Sequence, residues 1–248
     1  MVNKNSIKIL DKKCEYGINP VGIDTKNPRF SWNIKAEKRG AGQAAYQIQV
    51  YDDSHKCIWD TGKLESDETV NIRYEGRALQ SRRKYVWILT VWDKKGQEYH
   101  TERASFETAI LDSEEWRASW IRGGNLFRKE IAIKKEIKKS TVYISGLGYY
   151  ELYLNGKKIG DHVLDPAWTD YDQTIFYATY DVTEEMTEEK NAVGVMLGNG
   201  RYSPYETTIA KNWHPLKKYG QSPVLFYQQY ITYSDGTEDM IVSDLSWR

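Results

Sequence analysis

The sequence has 248 residues, room for one large or two ordinary domains but not for two small β domains plus a large catalytic barrel. Its 35 Lys and Arg balance 35 Asp and Glu, so no bulk positive field exists to draw in nucleic acid or an anionic membrane, and neither is an expected partner. At 40% hydrophobic and 28% charged the chain is too apolar for disorder, and its 13% aromatic content, with 19 Tyr and 9 Trp, favours β-sheet and permits stacking on sugar rings.

The first residues hold no apolar core of signal-peptide length, which makes the expected location cytoplasmic. Phe30, Trp32 and Ile34 then alternate with polar neighbours, as do Tyr46, Ile48 and Val50, then Val70, Ile72 and Tyr74. The run from Tyr85 to Trp92 is apolar on both faces and predicts a central strand covered on both sides; it is too short to span a bilayer. A last strand over 104–108 makes about seven, punctuated by turn residues such as Asn27-Pro28 and Lys95-Gly96. Seven short strands in about a hundred residues predict an immunoglobulin-like or fibronectin-type sandwich over 1–110. Cys14 and Cys57 sit in no CxxC or Cys/His cluster, and leave a disulfide and a reduced state both open.

The polar stretch Asp112 to Glu115 marks a boundary, with Trp116 and Trp120 expected to pack into the join. Strands follow at 127–133 and 141–145, and Asn155-Gly156 supplies the positive φ of a type I′ hairpin between 149–154 and 157–160. A strand is expected over 173–180, then a helical turn over 181–189 with Asp181 as its N-cap. Strands at 191–197, 223–233 and 237–242 complete an all-β sandwich of jelly-roll type over 116–248. Trp247, beside the last residue, needs a surface to cover it, which reads as a sandwich missing its final strands.

The search for chemistry is mostly exclusion. His55, His100, His162 and His214 are too scattered for a zinc site. No GxSxG or SxxK motif is present. Gly146-Leu147-Gly148 and Gly198-Asn199-Gly200 precede no helix N-terminus that would hold phosphate. Glycoside hydrolysis needs two acids about 5–10 Å apart, and Asp165 and Asp170 share a loop, but nothing marks either as a general acid. What stands out is the density of rings and oxygens in Tyr149 to Glu151, Asp161 to Asp172, Gly198 to Tyr205 and Trp213 to Pro215. Sugar recognition uses an aromatic face against ring C–H groups and amides, carboxylates and Arg against hydroxyls. Trp168 and Tyr171 serve equally well as loop plugs over a core.

The ordered strings Gly146 to Asp161, Leu164 to Tyr171, Thr179 to Thr183 and Gly194 to Tyr202 resemble the N-terminal β-sandwich of bacterial α-L-rhamnosidases of glycoside hydrolase family 78. Asn27 to Trp32, Ala45 to Val50 and Trp59 to Gly62 resemble the fibronectin-type module before it. The resemblance implies a parent glycosidase that removes terminal α-L-rhamnose by an inverting acid/base mechanism, its acids in a helical barrel absent from these residues, so no catalytic residue is assigned here. It also implies rhamnose-containing glycosides and that barrel as partners; a homo-oligomer is left open. No cofactor is required, but some members bind rhamnose through calcium. On that pattern Asp165, Asp170 and Asp172 are the metal candidates, and Trp168, Tyr171, Gln173, Asn199, Arg201 and Tyr202 the sugar-binding candidates. Three readings stand: an accessory domain pair of a rhamnosidase, a calcium-assisted lectin-like module, and a purely structural pair with exposed apolar surface near Trp247.

Overall fold

The computed structural model describes residues 7–36, 38–203 and 219–248, nearly all of them strand or loop. The chain divides into two compact units, Met1–Ser113 and Glu114–Arg248.

In the first unit the strands are β1 (Ile7–Cys14), β2 (Val21–Ile23), β3 (Arg29–Ala36), β4 (Gln43–Tyr51), β5 (Cys57–Asp60), β6 (Ile72–Arg73), β7 (Lys84–Asp93), β8 (Glu98–His100) and β9 (Ala104–Thr108). They form a three-stranded sheet, β1-β3-β6, and a larger sheet, β2-β9-β7-β4-β5, with β8 also on β7. The period-two residues do what their pattern demands. Phe30, Trp32, Ile48, Val50, Trp87, Leu89 and Phe106 are buried between the sheets, with the Phe30 and Trp87 rings 4.7 Å apart. The Trp32 indole N–H is satisfied inside by Gln43 Oε1 at 2.9 Å.

Three expectations change here. β1 is absent from the sequence reading because its register shifts between Leu10 and Lys13, where Asp11 takes φ +48°, and a bulge breaks the alternation. Val70 is exposed, since only Ile72–Arg73 pairs with β3. β7 is central, but Val86, Ile88 and Trp92 are only partly buried, so its outer face is not fully covered; the Lys63 ammonium lies over the Trp92 ring at 5.3 Å. Both cysteines are free, Cys14 buried and Cys57 exposed, and burial pushes the Cys14 thiol pKa up, with Glu15 adding to it.

The second unit holds β10 (Leu126–Ala132), β11 (Ile137–Leu147), β12 (Tyr149–Leu154), β13 (Lys157–Lys158), β14 (Ala178–Asp181), β15 (Lys190–Gly198), β16 (Val224–Tyr233) and β17 (Glu238–Val242). Two four-stranded antiparallel sheets, β10-β15-β12-β13 and β14-β11-β16-β17, give the strand count of a jelly-roll sandwich. Val142, Ile144, Leu152, Leu154, Val193, Val195, Leu225, Tyr227 and Ile231 fill the space between them. The β12–β13 hairpin turns on Asn155 (φ +53°) and Gly156 (φ +82°), as a type I′ turn requires.

The strand expected over 173–180 begins only at Ala178. The Asp170 carbonyl accepts the N–H groups of both Gln173 and Thr174 at 2.9 Å, so the chain turns there instead of extending. The helical turn is a single 3-10 turn, Thr183–Glu185. Its formal cap is Val182; Asp181, one residue earlier, accepts the Thr183 N–H at 3.1 Å in an Asx turn. It stops before Glu189 because the Asn191 amide holds Thr187 by both its N–H and its C=O, each at 2.8 Å.

Trp116 and Trp120 lie against the outer face of the second sheet, where both rings meet Phe226 and Trp116 also meets Tyr143 and Tyr177. Buried Gln228 pins this segment: its Oε1 accepts the N–H groups of Arg117 (2.7 Å) and Ala118 (3.0 Å), and its Nε2 donates to the Glu115 carbonyl. Trp247 needs no outside surface. It is buried edge-on to Tyr227 at 5.1 Å, with its indole N–H donated to the Val242 carbonyl.

Candidate functional site

Four segments meet at one end of the second sandwich: the β11–β12 corner at Gly146–Tyr149, the long loop from Asp161, the end of β15 through Tyr202, and Tyr219-Gly220 ahead of β16. Glycine makes the approach possible. Gly148 has φ +114°, and a Cβ there would sit 2.2 Å from the Gly198 carbonyl oxygen. Gly200, at φ +51°, faces the Gly148 backbone in turn. These two glycine motifs are therefore backbone-to-backbone contacts that bring the β15 loop down onto the β11–β12 corner.

Three tyrosine rings gather there. Tyr171 stands edge-on to Tyr202 (5.5 Å) and to Tyr219 (5.2 Å), while Tyr202 and Tyr219 lie nearly parallel, 6.3 Å apart. Asp170 joins them by accepting the Tyr219 hydroxyl at 3.0 Å. The Tyr171 hydroxyl is buried without a hydrogen bond of normal geometry. Burial raises its pKa, opposed by the neighbouring Gly148 N–H. Beside this trio the Arg201 guanidinium sits over the Trp168 ring, 4.1 Å from its centroid, and Trp168 is 54% exposed.

The metal candidates separate. Asp165 belongs to a different network: its Oδ2 accepts the hydroxyls of Tyr150 (2.7 Å) and Tyr180 (3.1 Å) and lies 3.1 Å from His162 Nδ1, while its carbonyl accepts the Tyr150 N–H. Burial, then its bonds within this network, drives the Tyr150 phenol pKa up, and chiefly burial pushes Tyr180 up to about 12. Asp170 spends Oδ1 on Tyr219 and on the Asp172 N–H, and Asp172 is exposed. Among the described residues no three His, Cys, Asp or Glu side chains gather as metal ligands. A calcium ion would have to strip the phenol and imidazole donors from Asp165, so these residues do not fit the expected site.

Of the sugar-binding candidates, Trp168, Tyr171, Arg201 and Tyr202 come together. Asn199 serves the loop through its carbonyl, which accepts the Ser203 N–H at 3.1 Å, and exposed Gln173 gives its N–H to the turn at Asp170. Tyr205, Trp213, His214 and Pro215 lie outside the described residues. The sequence reading missed Tyr219, which no periodicity connects to the loop, and the partners of Asp165. Tyr180 stood inside the Thr179 to Thr183 string and His162 in the dense stretch Asp161 to Asp172, but only the fold aims them at one carboxylate. Elsewhere, a shallow hollow of about 300 Å3 on the outer face of β10, β15 and β12 is lined by Leu126, Arg128, Tyr153, Gly194 and Met196. It is mostly apolar, and its Arg128 is paired with Glu130 at 2.9 Å, so little remains there to orient a hydroxylated ligand.

The fold and this loop cluster define a chain of two β-sandwich units, the second with a ring-lined end. Residues 9–112 match the family described as Rha78A-like, N-terminal immunoglobulin domain, and residues 135–248 match the alpha-L-rhamnosidase N-terminal domain. The chain carries the two N-terminal domains of alpha-L-rhamnosidases and corresponds to the N-terminal portion of these homologues. It is 36% identical to an alpha-L-rhamnosidase of Formosa agariphila over 93% of this chain and 28% of that protein. It is 29% identical to one from an Alteromonas species, with 93% and 27% covered. It superimposes on the alpha-L-rhamnosidase of Dictyoglumus thermophilum with a TM-score of 0.85 at 39% identity, covering 97% of this chain and 29% of that one. The chain thus spans under a third of these relatives. Its described residues contain two single-turn 3-10 helices and no helical barrel.

Proposed function

We propose that these 248 residues are the accessory domain pair of a glycosidase that removes terminal α-L-rhamnose, with the acids of the reaction outside them. The observation that supports this is the order and extent of the two family matches, 9–112 followed by 135–248, in relatives more than three times as long. The paired carboxylates the reaction needs find no counterpart in the loop cluster. Asp165 is occupied by three donors and Asp170 by two, and neither is placed as a free acid opposite a second one. The test is hydrolysis of p-nitrophenyl α-L-rhamnopyranoside by the purified chain. No release above the buffer rate is expected; steady turnover would place catalysis in these domains and sink the proposal.

A second reading concerns the ring-lined end. The exposed Trp168 indole beside Arg201 and the tyrosine trio is supported as a sugar-binding surface: the ring meets the C–H face of a pyranose and the loop polar groups meet its hydroxyls. Calorimetry with L-rhamnose is expected to show binding at millimolar sugar, weakened about tenfold by Trp168→Ala and unchanged by EDTA. Absence of heat in the unsubstituted chain removes this reading and leaves the first one standing.

A further inference from the structure

We infer that the Trp168–Arg201 pair recognises a saccharide bearing a carboxylate, so that the ligand of the loop cluster is an acidic glycan in which a uronic acid adjoins the neutral sugar. The inference rests on the sugar-binding reading of the same cluster and narrows its ligand class.

The argument starts from what stacking leaves unused. A guanidinium over an indole engages the ring through its flat face and keeps the N–H donors along its rim. Arginine does not deprotonate, so those donors go to water or to an acceptor. Several cations of the second unit have carboxylate partners, Arg128 with Glu130, Lys135 with Asp235, Lys157 with Glu185 and Lys158 with Glu151. Arg201 forms no ion pair or hydrogen bond with any described carboxylate. Asp170, the acid of the same cluster, has one oxygen committed to Tyr219 and Asp172. The result is a planar cationic fork fixed on an exposed aromatic surface, in a chain whose net charge is zero. Attraction for an anion is therefore local to this spot. A planar carboxylate meets such a fork through two parallel hydrogen bonds, while the C–H face of the same sugar covers the exposed part of Trp168.

The test is calorimetry on the 248-residue chain with three disaccharides: L-rhamnose joined to D-glucuronic acid, to D-glucose, and to D-glucose 6-sulfate. The acid is expected to bind about tenfold more tightly than the glucose compound, the scale of one charge-assisted pair. Arg201→Gln is expected to erase that difference while leaving amide exchange in β12 and β15 unchanged. Equal affinity for acid and glucose compounds in the unsubstituted chain overturns the inference and leaves the sugar site intact; no heat with any of the three overturns both. Tighter binding of the sulfate than the carboxylate overturns the choice of anion. A preference that survives Arg201→Gln belongs to another cation and overturns the assignment.

Discussion

Two aromatic clusters in the second unit differ in what surrounds them. On the outer face of the second sheet, Trp116 meets Tyr143, Tyr177 and Phe226 edge to face, and Gln228 ties the covering segment down with bonds to Glu115, Arg117 and Ala118. At the loop end, Tyr171, Tyr202 and Tyr219 make similar ring contacts, yet Trp168 beside them stands half in solvent with a cation on its face. Edge-to-face contacts occur in both places. The difference lies in what meets the exposed ring: Trp120, 43% exposed, leans on Phe226 at 4.9 Å, whereas Trp168, 54% exposed, carries the Arg201 guanidinium.

The sharpest way to break that distinction is a pair of truncations. Tyr143 is fully buried, and Tyr143→Ala is expected to destabilise the second unit by about 3–5 kcal/mol without changing the affinity of the unit for sugar. Trp168→Ala is expected to move stability by about 0.5 kcal/mol or less while weakening sugar binding. Urea titration read by amide exchange in β11 and β16 isolates the second unit from the first. If Trp168→Ala cost as much as Tyr143→Ala, the loop cluster would be a plug over the core and not a surface.

Gly148→Ala comes next. Its φ of +114° and a Cβ 2.2 Å from the Gly198 carbonyl leave no relaxed conformation, so a loss of about 2–3 kcal/mol is expected, together with weaker sugar binding as the loops part. Gly236 has φ +82° but nothing within 4 Å of a Cβ, and Gly236→Ala is expected to cost about 1 kcal/mol and spare binding. Gln228→Leu strands two backbone N–H groups, an expected cost of about 2–3 kcal/mol, read as faster amide exchange at Arg117 and Ala118 with binding unaltered.

The sheets were largely legible in the sequence because burial on one face writes a period of two. Phe30 and Trp32, Ile48 and Val50, Val193 and Val195 all declare their side of a strand. The pattern failed where backbone geometry overrode it. Asp11 inserts a bulge in β1, and the Asp170 carbonyl bends 173–177 away from the sheet. The loop cluster was legible in part. Trp168, Tyr171, Arg201 and Tyr202 sat in dense motif strings, whereas Tyr219 enters from a distant point in the chain that no local spacing reveals. The acids were the least legible, since a carboxylate's role depends on the donors aimed at it. Asp165 and Asp170 look alike in sequence, and one is held by two phenols and an imidazole while the other closes a turn.

The Asp165 network gives the smallest effect, and it is one of pH. The Tyr180 phenol is raised from 10.0 to about 12, chiefly by burial, so the folded state holds this proton more firmly than the unfolded chain does. Below pH 10 both states are protonated and the contribution to stability is complete. Between pH 10 and about 12 the unfolded chain releases the proton and the folded one retains it, so stability falls as pH rises. Tyr180→Phe removes that titration. The unfolding midpoint of the second unit is expected to drop less steeply from pH 10 to 12 in this variant than in the unsubstituted chain, with both alike at pH 7 apart from a constant offset for the lost bond to Asp165. Tyr150 shares the same carboxylate and is also raised, so part of the alkaline slope should survive Tyr180→Phe. Identical slopes in the two proteins would mean that Tyr180 titrates as it does in the unfolded chain, and that Asp165 is held by Tyr150 and His162 without it.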